Sequence, residues 1–357
     1  MPPQGQAVNP GRVARRRGDP LGLACMTTYP EPQDPAWTGE SLGGKQAATV
    51  ETGRDFIAAL DSAAARLRGR AFPDIGKDDA AHPAIAAAMA AVAHQLHRGR
   101  GFALIEGPDP ARYDLEDYAR LFWALGSHLG RGAVQSQFGD HVSRVERNPD
   151  LPWRGTTTDM ELRPHTDFHE IMALASVSLA PEGGVSGSVS SRHVHDVLAA
   201  ERPDLLEALY EGWYHTAPAK GEAPSGKVPI FCEREGLVSC FHNRVFFQKP
   251  EDAGEPMHEA LMQAIAAMDA IANRPGVAAR FMLEAGEMAF WHNFRVMHAR
   301  TAFRDSEMQK RLLLRLWLHA HEARPMAEAI RERGYVMDRV HARGPAAVEA
   351  WPGAPYR

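Results

Sequence analysis

The chain has 357 residues, 44% of them apolar and 24% charged, with a formal charge of −5 at pH 7. That composition supports a sizeable globular core and offers no global basic field for nucleic acid or an anionic membrane, and no apolar run approaches the roughly 18 residues of a membrane span. The three cysteines, Cys25, Cys232 and Cys240, have no CxxC spacing, which argues against a disulfide scaffold or a thiolate zinc site and suits a reducing cytoplasm.

Residues 1–35 are rich in Pro, Gly and Arg and read as a disordered leader; the apolar part of "ARRRGDPLGLAC" is too short for a signal peptide. "DFIAALDSAAARLRG" places Phe56, Leu60, Ala63 and Leu67 on one helical face. "HPAIAAAMAAVAHQLHRG" predicts a second helix, with Pro in its first turn and His94 and His97 in a solvated last turn. "GFALIEG" is a short apolar run between glycines, hence a buried strand, and "LEDYARLFWALGSHLG" a third helix. From residue 135 to 250 the texture shifts to short segments rich in Val, Ser, Thr and Phe, such as "SGSVSSRHV", "KVPIFCE" and "LVSCFH", interrupted by a helix at "RPDLLEALYEGWY". After a helix in "PMHEALMQAIAAMDAIANRP", two strand-like stretches close the core, "EMAFWHNFRVMHAR" and "RLLLRLWLHA". Helices first and many short strands later predict an α+β protein with a jelly-roll core flanked by helices. We read 36–325 as a single domain and 326–357 as a tail, helical and then irregular.

"RPHTDFHEIM" crowds His165, Asp167, His169 and Glu170 into six residues. A helical HExxH reading fails locally, because no Glu follows His165 and Thr166 is a poor helix former. The pairs His193/His195 and His319/His321 offer two imidazoles each on a strand face, but no third ligand nearby. An HxD pair on a strand puts His165 and Asp167 on one side. With a distant second His it makes the two-His, one-carboxylate set of a non-haem Fe(II) oxygenase. HxD alone is weak; the far end of the chain supplies its context. His298 ends a strand-like run, and Arg311 follows it by thirteen residues. From there Arg311, Leu313, Arg315, Trp317 and His319 alternate with Leu312, Leu314, Leu316 and Leu318; Trp317 shares the parity of the two arginines, but core packing is the default for so large an apolar ring. An edge strand with a wet face would alternate in the same way. Two arginines on a strand face, however, call for anionic partners, which guanidinium binds in bidentate fashion.

These blocks, together with "GRGFALIEGP", "ALGSHLGRGAVQSQFGD" and "EGGVSGSVSS", resemble the TauD/TfdA-type, clavaminate-synthase-like Fe(II)/2-oxoglutarate-dependent oxygenases from Pro35 to about Pro325. The resemblance implies a double-stranded β-helix (cupin-like) core and an enzyme that uses Fe(II), 2-oxoglutarate and O2 and releases succinate and CO2. It implies His165, Asp167 and His298 as iron ligands, Arg311 as the partner of the distal 2-oxoglutarate carboxylate, and Ser186 as a second contact to it, where relatives often have Thr. Arg315 matches a position that contacts the anionic group of the substrate in several relatives, or makes a second 2-oxoglutarate contact. Gln135 and Ser136 either line the mouth of the site, with Gln135 towards substrate, or have a simple loop role. His169 is a packing residue or a substrate hydrogen bond, and Asn293, Arg295 and Arg300, which flank His298, support its strand or touch substrate. The carboxylate of Asp167 argues against halogenation. The expected reaction is hydroxylation of an unactivated C–H in a small polar molecule bearing a carboxylate or an amine, an amino acid or a natural-product intermediate. Desaturation or ring closure is the alternative with the same cofactors. A zinc-dependent hydrolase and a non-catalytic cupin-like binding protein are the competing classes, and neither needs a carboxylate clamp at Arg311. Nucleic acid and membrane are not expected partners.

Overall fold

Helical periodicity near the N-terminus becomes α1 (Arg54–Leu67), α2 (Pro83–His97) and, after β1 (Phe102–Glu106), α3 (Leu115–Gly126). They belong to a computed structural model that describes residues 34–136, 138–150, 155–216 and 223–344. The predicted leader, except for Asp34 and Pro35, and the last residues of the predicted tail lie outside the described residues. The middle of the chain gives β2 (Leu162–His165), β3 (Ile171–Ser178), β4 (Ser186–Ser190), α4 (Ser191–Glu201), α5 (Pro203–Glu211) and α6 (Glu259–Ala272). The last third gives β5 (Ala279–Phe281), β6 (Glu287–His292), β7 (Val296–Arg300), β8 (Leu312–Ala320) and α7 (Glu328–Ala342).

The strands form two main sheets. One runs in the order Thr49–Val50, β1, β6, β3, β8 and Gly130–Gly132, with Ser143–Val145 also on β8. The other runs β5, β4, β7, β2. Thr49–Val50 is parallel to β1, and the pairings of β1 with β6, β6 with β3, β3 with β8 and all those of the second sheet are antiparallel. This is the expected jelly roll flanked by helices.

Period-2 alternation decides which side chains go where. On β1, Ala103 and Ile105 pack under α1–α3, whereas Phe102 and Leu104 face the other sheet. On β8, Leu314, Leu316 and Leu318 join the helical layer, and Leu313 and Trp317 point between the sheets. The alternation read from the sequence thus separates a greasy outer face from an inner face that carries Arg315. Behind β4 and β7, α4–α6 cover Val189 and Met297.

Several expectations need correction. "EMAFWHNFRVMHAR" is not one strand: a turn at Asn293–Arg295 sends β6 and β7 into different sheets, with the Arg295 amide bonding back to the His292 carbonyl. His193 and His195 lie on helix α4, started by the Ser190 side chain accepting from the His193 amide, so they share no strand face. His97 is buried against His292 rather than solvated, their rings 5.5 Å apart. Asp34, assigned to the leader, accepts hydrogen bonds from Arg295 and Arg324 in a buried ion-pair cluster. The tail helix α7 is not peripheral either. Ile330 and Met337 are buried with Phe168, Phe241 and Phe294.

Candidate active site

The register of the smaller sheet creates the site. On β7, His298 lies directly across from His165 on β2, with ring centroids 4.3 Å apart. Asp167 comes just after β2 ends, so the backbone, not the strand, sets its direction. Thr166, fully buried, is pinned on three sides: its amide donates to the His242 carbonyl, its hydroxyl accepts from the His242 amide, and its carbonyl accepts from the Asn243 side chain. The Asp167 amide donates to Asn293 Oδ1 at 3.3 Å, while Asn293 Nδ2 donates to the His169 carbonyl. The turn that separates β6 from β7 therefore also fixes the "HTD" segment.

One ligand-type atom from each of His165, Asp167 and His298 lies within 4.8 Å of the others. His298 Nε2 is 3.8 Å from Asp167 Oδ2. His165 Nδ1 contacts the Arg163 carbonyl at 2.7 Å, which makes Nδ1 the protonated nitrogen and leaves the lone pair on Nε2. Burial, reinforced by the His165 ring, pushes His298 down to about 3, so its imidazole is neutral. Burial works against the charge on Asp167, but His298, Arg315, His165 and the Trp317 hydrogen bond outweigh it and hold the carboxyl below its ordinary value. Two imidazoles and one carboxylate, close together, form a donor set suited to a divalent metal.

The three side chains open onto a cavity of about 1160 Å³, which Gln135, Ser136, Ser186, Arg311 and Arg315 also line. Arg311 sits just before β8 and is buried with Nη1 lacking a hydrogen-bond partner among the described residues. Burial and the neighbouring Arg300 push its guanidinium down to about 9. Arg300 is anchored through Nη2, which donates to the carbonyls of Thr158 and Met160, and it lies over the Phe303 ring, although its buried Nε has no hydrogen-bond partner among the described residues. Ser186 opens β4, opposite Arg300 on β7. Arg315 donates from Nε to Gln135 Oε1 at 3.4 Å.

Two sequence-predicted site residues are elsewhere. His169 is fully buried, faces away from the cavity and donates from Nε2 to Asp338 Oδ1 at 3.0 Å, so it does not reach substrate. Arg295 points towards the end of α2, bonding Asp34 and the carbonyls of Leu96 and Gly99. It serves the fold, because the turn that carries it diverts its side chain from β7. Conversely, Trp317 is in the core as expected but also lines the cavity, and donates from Nε1 to Asp167 Oδ2 at 2.8 Å. Its parity with Arg311 and Arg315 was the available signal. Met337 and His341 of α7 also line the cavity, for which the sequence carried no signal.

A jelly roll holding two imidazoles and a carboxylate, with a buried guanidinium in the same cavity whose Nη1 has no hydrogen-bond partner among the described residues, suits the class of non-haem iron oxygenases that take a carboxylate cosubstrate. The chain belongs to the taurine catabolism dioxygenase TauD, TfdA family, whose profile matches residues 68–317. It is 29% identical over 257 residues to FR-33289 synthase of Streptomyces rubellomurinus, covering 66% of this chain and 74% of that protein. It is 26% identical over 312 residues to the taurine hydroxylase-like protein SAT17 of Stachybotrys chartarum, covering 79% and 77%. Among solved structures, asparagine oxygenase in complex with Fe(II), 3-hydroxyasparagine and succinate superposes with a TM-score of 0.64 at 16% identity, over 76% of this chain and 93% of that one. The non-haem iron oxygenase OrfP in complex with Fe and alpha-ketoglutaric acid does so with a TM-score of 0.57 at 15% identity, over 76% and 94%. The protein is accordingly a 2-oxoglutarate-dependent non-haem iron dioxygenase. Its residues fit those groups: the clustered His165, Asp167 and His298 suit Fe(II), and the orphaned Nη1 of Arg311 suits a carboxylate. Among the described residues no helix is long and apolar enough to cross a membrane.

Proposed function

We propose that the enzyme hydroxylates an unactivated C–H of a small polar metabolite, an amino acid or a natural-product intermediate, with release of succinate and CO2. His165, Asp167 and His298 hold Fe(II), which supplies O2 activation coupled to decarboxylation of 2-oxoglutarate. Arg311 receives the distal carboxylate of 2-oxoglutarate, assisted by the Ser186 hydroxyl, and the substrate's anionic group meets Arg315 beside Gln135. The observation that carries this reading is the buried guanidinium of Arg311, whose Nη1 has no hydrogen-bond partner among the described residues, in the same cavity as the metal-type cluster. An uncompensated buried cation costs several kcal/mol, so a fold retains it where an anion neutralises it. A hydrolase or a passive binding protein has no use for that cation. The substrate class draws support from asparagine oxygenase and OrfP, which are known in complex with hydroxylated amino acids. Desaturation and ring closure would use the same side chains and are separated by product analysis.

The test combines spectroscopy with turnover. Anaerobic Fe(II) and 2-oxoglutarate should give a weak visible charge-transfer band, lost in Asp167→Ala. A screen of amino acids and related metabolites should then find one that stimulates succinate release. No band, together with zinc-supported ester or amide hydrolysis, would sink the proposal.

A further inference from the structure

Helix α7 follows every motif of the site in sequence, yet an unbroken run of contacts ties it to the site carboxylate. Asp338, on α7, accepts from two imidazoles, His169 Nε2 at 3.0 Å through Oδ1 and His319 Nε2 at 2.6 Å through Oδ2. The His169 ring stacks on Trp317, with centroids 5.2 Å apart and planes 23° from parallel. Trp317 Nε1 in turn donates to Asp167 Oδ2 at 2.8 Å. The His319 side of Asp338 is closed as well: Tyr335, one turn back on α7, stacks on His319 at 4.8 Å, and Glu170 lies 3.4 Å from its other nitrogen.

A carboxylate turns easily about its last carbon–carbon bond, and nothing in Asp167 itself decides which oxygen faces its histidine neighbours. The indole N–H makes that choice by engaging Oδ2. The indole in turn is held by its stack on a fully buried imidazole, and the plane of that imidazole is set by Asp338. We propose that Asp338 is a positioning residue for the iron site: acting through His169 and Trp317, it fixes the turn of the Asp167 carboxylate, whose Oδ2 takes the indole N–H and also faces His298 Nε2 at 3.8 Å. The C-terminal helix thereby becomes part of the metal site without supplying a ligand. The inference rests on the assignment of Asp167 as an iron ligand. His169, His319 and Asp338 also have the composition of a metal cluster. Their hydrogen bonds to one another already use the facing atoms, however, and the Arg131 guanidinium, 3.9 Å from Asp338 Oδ2, opposes a cation there.

The experiment is anaerobic calorimetric titration of Fe(II) into the full chain and into Asp338→Asn, Trp317→Phe and the double variant. Unfolding midpoints are recorded alongside, as is the 2-oxoglutarate charge-transfer band. Groups that orient metal ligands are typically worth about 10–100-fold in affinity. Each single variant should lose affinity on that order, with a displaced band, and the double variant should be no weaker than Trp317→Phe alone, because Asp338 acts through the indole. If Asp338→Asn does not fold, His169→Gln cuts the same chain at its middle and is held to the same criteria. Wild-type affinity in Asp338→Asn, losses that multiply in the double variant, or two ions bound per chain would each overturn the proposal. A wild-type chain that binds no Fe(II) would instead overturn the ligand assignment beneath it.

Discussion

The guanidinium carbon of Arg315 lies 3.7 Å from the centroid of the Trp317 ring. The contact, with the Nε bond to Gln135, fixes the orientation of a long side chain before any substrate arrives, which removes an ordering cost from binding. It also separates two uses of the residue. If Arg315 reads the substrate, Arg315→Gln should raise the substrate KM by about 30-fold, the equivalent of about 2 kcal/mol for a truncated buried charge pair. The KM for 2-oxoglutarate should move less than about twofold. Arg315→Lys keeps the charge without the planar stack and should fall between the two. Succinate release measured against each ligand decides the matter; a rise confined to 2-oxoglutarate would make Arg315 a cosubstrate contact.

Gly184 bears on Arg311 in a way that needs no change at Arg311 itself. Its φ is +76°, a region that favours glycine, and a Cβ added there would sit 3.2 Å from Arg311 Nε and 3.4 Å from Cδ. Gly184→Ala therefore strains the turn before β4 and presses on the guanidinium at once. Anaerobic titration of 2-oxoglutarate into the Fe(II) form should show affinity weakened by about tenfold, about 1.4 kcal/mol. Fe(II) affinity should be unchanged, since the three clustered side chains do not touch this turn. Unaltered 2-oxoglutarate binding would remove Arg311 from the cosubstrate site.

Asp34 sits between Arg295 and Arg324, accepting from the first at 3.0 Å and the second at 2.9 Å, with all three side chains nearly inaccessible to water. Asp34→Ala removes the carboxylate that both guanidiniums share. Breaking a buried pair in this way costs about 3–5 kcal/mol, and the thermal midpoint should drop by roughly 10 °C. A midpoint within about 2 °C of wild type would show that the other partners of the two arginines satisfy them without Asp34.

The sequence carried the fold where one physical period dominated. The helices of the first 126 residues and the alternation on β8 followed directly from burial on one face. His165, Asp167, His298 and Arg311 could be grouped because each chemistry-bearing residue stood in a short segment with its own spacing. Arg295 shows the limit of that reasoning. It is three residues from His298, but a turn between two sheets separates them, and closeness in sequence says nothing across such a turn. Trp317 packs in the core between the sheets, as its bulk predicts, but an indole is a large apolar body with one donor, and only the structure reveals that the donor meets Asp167. The bond from His169 to Asp338 spans 169 positions, and α7 has the ordinary amphipathic pattern of any docking helix, so nothing marked it as a wall of the cavity.

His319 gives the α7 contact a pH dependence. Burial disfavours its charge, but hydrogen bonds and attraction from Asp338 and Glu170 overcome that and raise it from 6.5 to about 9. The charged groups around it are Asp338, Glu170 and, beyond Asp338, the Arg131 guanidinium; Tyr335 and the neutral His169 complete its surroundings. A group whose pKa is higher when folded adds stability that is fully present below its unfolded value and is lost as pH climbs through the folded one. The attachment of α7 should therefore be firm below about pH 6.5 and loosen progressively towards pH 9. Hydrogen exchange, corrected for the intrinsic rate at each pH, should show falling protection in residues 328–342 over that window, while β3 and β6 stay protected. His319→Gln cannot hold the charge and should show a flat profile across the same range. A wild-type profile as flat as that of His319→Gln would mean that the imidazole is neutral in the folded protein and that the clasp on Asp338 is made by uncharged hydrogen bonds.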